Sequence, residues 1–355
     1  MKQILAKRTL IWSGGALLIL VVALASALLA YYCMLLPVNR EGSGEIITVE
    51  IPDGASTSQI AQLLSERGVI RSPLIFRLYS RWNGLDTKFI AGEYRLSPSM
   101  ELKEIAGIIA RGDVYRETCW FTVPEGFTVE QIADLLQEKG LGDGEQFLEL
   151  AARPGDELTA RFSFLKEAGK NPEVNYVLEG YLFPDTYEVE KGAALEEIVG
   201  LMLNRFAKIF SPQWQERAGE LGLSVHQAVT LASIIEREAV VAHERERIAS
   251  VFHNRLAKNY PLESCATVQY ALGEVKPVLT TRDLEHPSPY NTYRRSGLPP
   301  GPIASPGKDS LRAALYPEES DYFFFVAKQD GSGEHYFSRT LSEHEAYKRR
   351  AEAGQ

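Results

Sequence analysis

The stretch LASIIEREA, Leu231 to Ala239, sets two carboxylates, Glu236 and Glu238, directly behind an apolar run. On a helix, Glu236 lies over Ala232 and Ser233 one turn back and under Ala239 and Val240 one turn on, so it shares a stripe with small and apolar side chains. A carboxyl desolvated in this way keeps its proton above the ordinary ~4.3, as a general acid working near neutral pH requires. Glu238, two positions on, points roughly 200° away round the helix, so the two acids cannot face one substrate atom. The plain alternative is an exposed glutamate paired with Arg237 or Arg245, and spacing alone favours it.

Other chemistries have less to stand on. The chain contains no G-x-S-x-G elbow, no H-E-x-x-H pair and no phosphate-cradling glycine loop. None of His226, His243, His253, His286, His335 and His344 has a partner at metal-ligand spacing, so neither a metal nor a cofactor is expected. Cys33 falls in an apolar run, and Cys119 and Cys265 are too few and too far apart for a disulfide framework. Carboxylate chemistry remains. Glu179 and Asp185, in EGYLFPDTYEV (179–189), are reserve acids that read first as structural hydrogen-bonding groups.

The elements that must position Glu236 follow from pattern. No charged residue occurs from Thr9 to Val38, a run long enough to cross a bilayer. It closes with Tyr31, Tyr32 and Met34 and is about twice the ~7–15 residues of a signal-peptide core, which favours a retained anchor. Lys2, Lys7 and Arg8 precede the span, so residues 1–8 are expected in the cytoplasm and everything after Asn39 outside. Those three charges are balanced by no acid before residue 39; the whole-chain −9 therefore leaves −12 on the remainder, which carries no footprint for nucleic acid. NREGSGE (39–45) has linker composition.

An internal repeat comes next. VEIPDGASTSQIAQLLSERGVI (49–70) aligns without gaps on FTVPEGFTVEQIADLLQEKGLG (121–142), and each copy reads as a strand, a Pro-Asp/Glu-Gly turn, a Ser or Thr near a helix start, and an amphipathic helix ended by Gly. AGEYRLSPSMELKEIAGIIARGDV (91–114) is a third, partial echo. Such βα modules outside a membrane anchor look like LysM-type units that hold glycan chains; packing spacers are the bland alternative. Helical patterns then run from Glu130 to about Leu256. After them come the Pro/Gly-rich GLPPGPIASPG (297–307), a helix near Ser310 to Leu315, and a hairpin, DYFFFVAKQDGSGEHYFS (321–338). The class is α+β, since strands and helices do not alternate as in a doubly wound sheet.

LASIIERE, ERERIASVFHNRL (244–256), LESCATVQYALG (262–273), LTTRDLEHPSPYNTYRRSGLPPGPIASPG (279–307), DYFFFVA (321–327) and HYFSRTLSEH (335–344) resemble the successive motifs of the endolytic murein transglycosylases, the YceG-like family. EGYLFPDTYEV is similar to a further block. The resemblance implies a transmembrane helix at 9–38, a LysM-like domain at 46–118, a mixed α+β catalytic domain at 119–345 and a tail at 346–355. It implies Glu236 as the catalytic group and peptidoglycan glycan strands as substrate, with cleavage of the MurNAc–GlcNAc bond to 1,6-anhydroMurNAc ends and termination of nascent strands. A single-pass plasma or inner membrane protein is expected, with cell-wall synthases as candidate partners. Among substrate-binding candidates, Asn291 could pair with an N-acetyl group, and Tyr290 and Tyr293 could lie along a sugar face. Thr267 and Tyr270 follow the Cys265 motif, and Asn254 reads equally well as structural. The motif around Cys265 departs from the family in carrying Glu263 where Gln is usual, which puts pH dependence or glycan preference in question. Two other readings stand beside this one: a hydrolytic muramidase pairing Glu236 with Glu263 or Glu179, and a non-catalytic glycan-binding scaffold.

Overall fold

The structure, a computed structural model, describes residues 2–39 and 45–353, without the side chains of residues 2–17. The linker expected at 39–45 therefore lies mostly outside the described residues, as do Met1 and the last two residues of the tail. Helix α1, Lys2–Leu35, contains an 18-residue stretch, Leu18–Leu35, of mean hydropathy 2.4, none of it buried. A helix apolar on every side and uncovered by protein has the length and surface of a bilayer-crossing segment. Where it ends, the Arg71 guanidinium donates to the carbonyls of Leu36, Pro37 and Val38, the shortest contact being 2.6 Å to Pro37.

The chain divides into two compact units, residues 1–117 and 118–355. In the first, β1 (Ile47–Ile51) is followed by α2 (Thr57–Glu66), α3 (Pro73–Trp82), β2 (Gly92–Leu96) and α4 (Leu102–Arg111). Strands β1 and β2 pair antiparallel with Ile47 opposite Leu96. Their alternating inward residues, Val49, Ile51, Tyr94 and Leu96, meet Ile60, Leu64, Phe76, Ile105 and Ile109 in a core of their own.

The second unit contains β3 (Thr118–Thr122), α5 (Val129–Glu138), α6 (Gly144–Ala152), α7 (Gly155–Arg161), α8 (Leu165–Ala168), β4 (Thr186–Glu190), α9 (Leu195–Ile209), α10 (Pro212–Glu220), α11 (Val225–Glu238), α12 (Arg245–Ala257), α13 (Cys265–Leu272), α14 (Thr281–Leu284), α15 (Lys308–Leu315), β5 (Phe324–Ala327), β6 (His335–Ser338) and α16 (Leu341–Ala353). Among the described residues the strands form three separate antiparallel pairs, β1–β2, β3–β4 and β5–β6, so the α+β class holds. The β5–β6 hairpin turns through Gly331 and Gly333, as its sequence indicates, with Asp330 Oδ1 accepting from Ser332 N.

Both full copies of the repeat fold alike. Ser56 and Thr128, 72 residues apart, each cap a helix and close a reciprocal capping box with Gln59 and Gln131. Gly54 and Gly126 take φ of 71° and 78°, values that the turn requires and that a side chain would strain. The second copy, however, belongs to the second unit, where α5 packs into the large core.

Helix α11 is the centre of that core: every residue from Ala228 to Ile235 is buried. Its two hydroxyls within that stretch are satisfied on the helix itself, Thr230 donating to the His226 carbonyl and Ser233 to the Thr230 carbonyl, each at 2.7 Å. The apolar run before Glu236 is thus the buried axle that fixes where the carboxylate emerges.

Candidate active site

Glu236 sits in the last turn of α11, after which the chain becomes extended at Ala239. Its side chain is only 8% exposed, with Oε1 3.7 Å from Arg245 Nη2 and Oε2 accepting from the Gly307 N–H at 2.9 Å. Arg245 opens α12 and also donates to Ser310 Oγ at 3.1 Å, while Gly307 is the cap residue of α15. Three helix ends therefore converge on one carboxylate. This corrects the expectation of a purely apolar setting. The group is buried, but it emerges from the apolar stripe into a polar cradle.

The cradle is built from the 297–307 loop. Its Pro300 carbonyl meets His226 Nε2 at 2.8 Å, and His226 Nδ1 meets the Tyr181 hydroxyl at 2.8 Å. The Ile303 N–H donates to Ser233 Oγ at 3.0 Å, one turn before Glu236. Ser305 then exchanges two backbone hydrogen bonds with the Pro-Glu-Gly turn, through Gly126 N and Phe127 O, and Arg237 Nη1 donates to the Gly126 carbonyl at 3.1 Å. Ser233 is small because a loop backbone must reach the helix there.

The turn brings a second carboxylate. That of Glu125 occupies the space a Cβ on Gly307 would take. Gly307 has an ordinary φ of −69°, so a side chain there would meet no backbone strain and would only displace the flexible Glu125 carboxylate. Partial desolvation, followed by the charge of Glu236, raises the Glu125 carboxyl above the usual range, while Arg245 pulls it down. Glu238 goes elsewhere, as the rotation between the two acids requires. It accepts from Ser264 Oγ at 2.5 Å and from the Ala266 N–H at the start of α13, and burial raises its carboxyl.

Among the described residues, the hydrogen bonds and ion pairs of Glu236 go to Arg245 and Gly307 and to none of the six substrate-binding candidates. Asn291 is fully buried, its amide donating to the Leu284 and His286 carbonyls and accepting from the Tyr293 N–H, so it braces its own loop instead of presenting an amide to a ligand. Tyr290 is 1% exposed and packs on Tyr270, its hydroxyl accepting from Asn175 N. Thr267 is buried, bridging the Ser264 carbonyl and Thr292. Tyr293 is half-buried with its hydroxyl 3.1 Å from Cys265 Sγ, and Glu263 is 3.2 Å from Arg255 Nη1. Tyr270, with Arg237, Gln131, Gln269 and Ile303, lines a cavity of about 230 Å³. Asn254 donates to the Ser320 and Tyr322 carbonyls, a structural placement. Glu179 is buried against Val129 N, at the start of α5, and the Tyr270 hydroxyl, and Asp185 pairs with Arg205. Neither contacts Glu236. Among the described residues no three His, Cys, Asp or Glu side chains stand together as metal ligands.

The profile of the YceG-like family matches residues 49–350. The chain belongs to the YceG-like family. It is 36% identical to a Bacillus subtilis (strain 168) protein named endolytic murein transglycosylase, over 88% of this chain and 86% of that one. A Streptococcus pneumoniae (serotype 2, strain D39) protein of the same name is 31% identical over 88% of this chain, which spans 59% of the pneumococcal one. The crystal structure of a YceG-like protein from Listeria monocytogenes superposes with a TM-score of 0.60 at 39% identity, over 85% of this chain and 99% of that one.

For this YceG-like chain, motif reading singles out Glu236, and the structure adds the groups around it: Arg245, Gly307 and Glu125. Arg245 was visible as an alternative surface partner. Gly307 was hidden inside a loop whose glycines and prolines read as scaffold. Glu125 was hidden inside a repeat whose first copy has an aspartate, Asp53, at the same place.

Proposed function

We propose that this chain is a membrane-anchored lytic transglycosylase acting within peptidoglycan glycan strands, with Glu236 as its acid and base. The observation that carries the reading is a glutamate at the end of a core helix, its side chain 8% exposed and its two oxygens facing Arg245 and the Gly307 N–H, in a chain that matches named transglycosylases along most of its length.

The protonated Glu236 gives its proton to the oxygen between N-acetylmuramic acid and N-acetylglucosamine as the bond from the muramyl anomeric carbon to that oxygen breaks. Arg245 and the Gly307 N–H then stabilise the carboxylate that remains. That carboxylate takes the proton of the muramyl 6-hydroxyl as its oxygen closes on the anomeric carbon, leaving a 1,6-anhydro end. The nucleophile is already part of the substrate, so no second carboxylate has to activate water. On this reading the first unit, with its helix–strand modules, has a glycan-holding role, and the catalytic unit works on the outer face of the membrane. Cutting within strands fits a role in ending their elongation.

Mass spectrometry of the products tests the reaction class. Transglycosylation gives anhydro ends; hydrolysis gives reducing ends one water heavier. Uncut strands that nevertheless sediment with the protein would replace the enzyme by a glycan-binding scaffold.

A further inference from the structure

The end of α1 and helix α3 belong to one unit, and together they carry an apolar surface open to the surroundings. Arg71, two residues before α3, holds the carbonyls of Leu36, Pro37 and Val38, whereas the ring of Trp82, the last residue of α3, has its centroid 5.4 Å from that of Tyr31, more than a turn further back on α1. Helix α3 therefore runs back along α1 towards the span. At about 100° per residue, the side chains that follow round α3 from Ile75 are Trp82, Leu78, Leu74, Arg81 and Arg77, an arc facing away from the buried Phe76 and Ser80. Leu74 is exposed, and Trp82 is 68% exposed. Between this arc and α1 lies an apolar cleft of about 650 Å³, whose lining includes Leu24, Leu28, Tyr31, Ile75, Leu78 and Trp82.

We propose that α3 is an interfacial helix: its Leu74, Leu78 and Trp82 arc seats in the leaflet from which α1 emerges, phospholipid acyl chains fill the cleft against α1, and Arg77 and Arg81 meet lipid phosphates. This goes beyond the reaction and rests only on the membrane-anchored part of the reading above. Helix α1 runs for 34 residues, roughly 51 Å, while the hydrocarbon of a bilayer is ~30 Å thick. Its last turns therefore stand in the headgroup layer, the usual place of aromatic residues such as Tyr31 and Tyr32. Trp82, against Tyr31, lies at the same depth. An exposed leucine and tryptophan on one helix face mark a contact surface, and this one starts at the span itself, so the bilayer is the partner continuous with it. Arginines suit the far edge of the arc, because their stems cover apolar surface while the guanidinium reaches a phosphate. Three apolar side chains are too few to anchor the chain by themselves; they act on a unit that α1 already holds at the membrane, and fix its height there.

The test places the full chain in phosphatidylglycerol–phosphatidylcholine vesicles, made with or without acyl chains brominated near the glycerol, and isolates Trp82 emission by subtracting the spectrum of Trp82→Phe from that of the wild type. Trp120, 61% exposed in the second unit, is isolated in the same way through Trp120→Phe and serves as the aqueous reference. Trp82 should be quenched by the brominated lipid and should resist aqueous acrylamide several-fold better than Trp120. Arg77→Glu/Arg81→Glu sets acids against the lipid phosphates and should at least halve the bromine quenching of Trp82, with circular dichroism unchanged; undiminished quenching would overturn the arginine contacts. A chain that floats with the vesicles yet leaves Trp82 as open to acrylamide as Trp120 would overturn this inference alone. So would a Trp82 shielded from acrylamide but untouched by bromine, since protein would then be what covers it. Failure of the full chain to float with the vesicles would instead overturn the anchor on which the inference rests.

Discussion

At the scale of single residues, burial and partners decide which acids are free to react. Glu179 is the deepest of them, fully buried against the Val129 N–H and the Tyr270 hydroxyl, and desolvation pushes its carboxyl up to about 8. The folded state thus holds a proton that the unfolded chain releases near its ordinary value of 4.5. Its stabilising contribution is complete below ~4.5 and is lost as pH rises to about 8, a span worth on the order of a few kcal/mol. Denaturant unfolding measured from pH 5 to 8 should show that decline in the wild type and a flatter profile in Glu179→Gln. The sequence leaves Glu179 as a reserve acid that reads first as a structural hydrogen-bonding group, and in the structure it accepts from the Val129 N–H and the Tyr270 hydroxyl. What spacing could not show was the polar cradle of Glu236, since Arg245 and Gly307 reach it from 9 and 71 residues away through the packing of three helices. Asn291 and Thr267 belong to two strongly patterned motifs, and in the folded chain their side chains make loop and helix-end hydrogen bonds, which residue type alone does not distinguish from ligand contacts.

At the scale of elements, local rules were legible because they act over a few residues. The repeat announced two capped helices, and the hydrogen bonds of Ser56 and Thr128 realise them. Each of Ser56→Ala and Thr128→Ala should cost about 1 kcal/mol in unfolding free energy, measured by chemical denaturation. Gly180 has a stricter task. Its φ is +81°, and an added Cβ would meet Pro302 Cβ at 2.5 Å, in the very loop that carries Gly307. Gly180→Ala should cost roughly 2 kcal/mol or more and slow catalysis in the fraction that remains folded, because the loop must move. A thermal melt paired with a rate measurement separates the two effects. The strand pairings were less legible. β3 and β4 come together across 63 residues of intervening chain, a partnership that alternation alone cannot specify.

At the scale of the whole molecule, composition spoke most plainly. An uncharged run at the N-terminus became a helix whose Leu18–Leu35 stretch is uncovered by protein, and the acidic remainder folded into units with their own cores. Removing residues 1–38 should shift the chain from the membrane pellet to the soluble fraction after cell lysis and ultracentrifugation, with folding retained by circular dichroism. The position of the Glu125 turn was beyond the reach of composition, because the repeat looks like two equal spacers until one copy is seen packed against α11. The central claim concerns that helix. Glu236→Gln preserves shape and hydrogen-bonding reach while removing the transferable proton, so release of 1,6-anhydro ends from purified strands should fall by ~10² to 10⁴-fold with the melting temperature unchanged. Release at the wild-type rate by a folded Glu236→Gln protein would contradict the account.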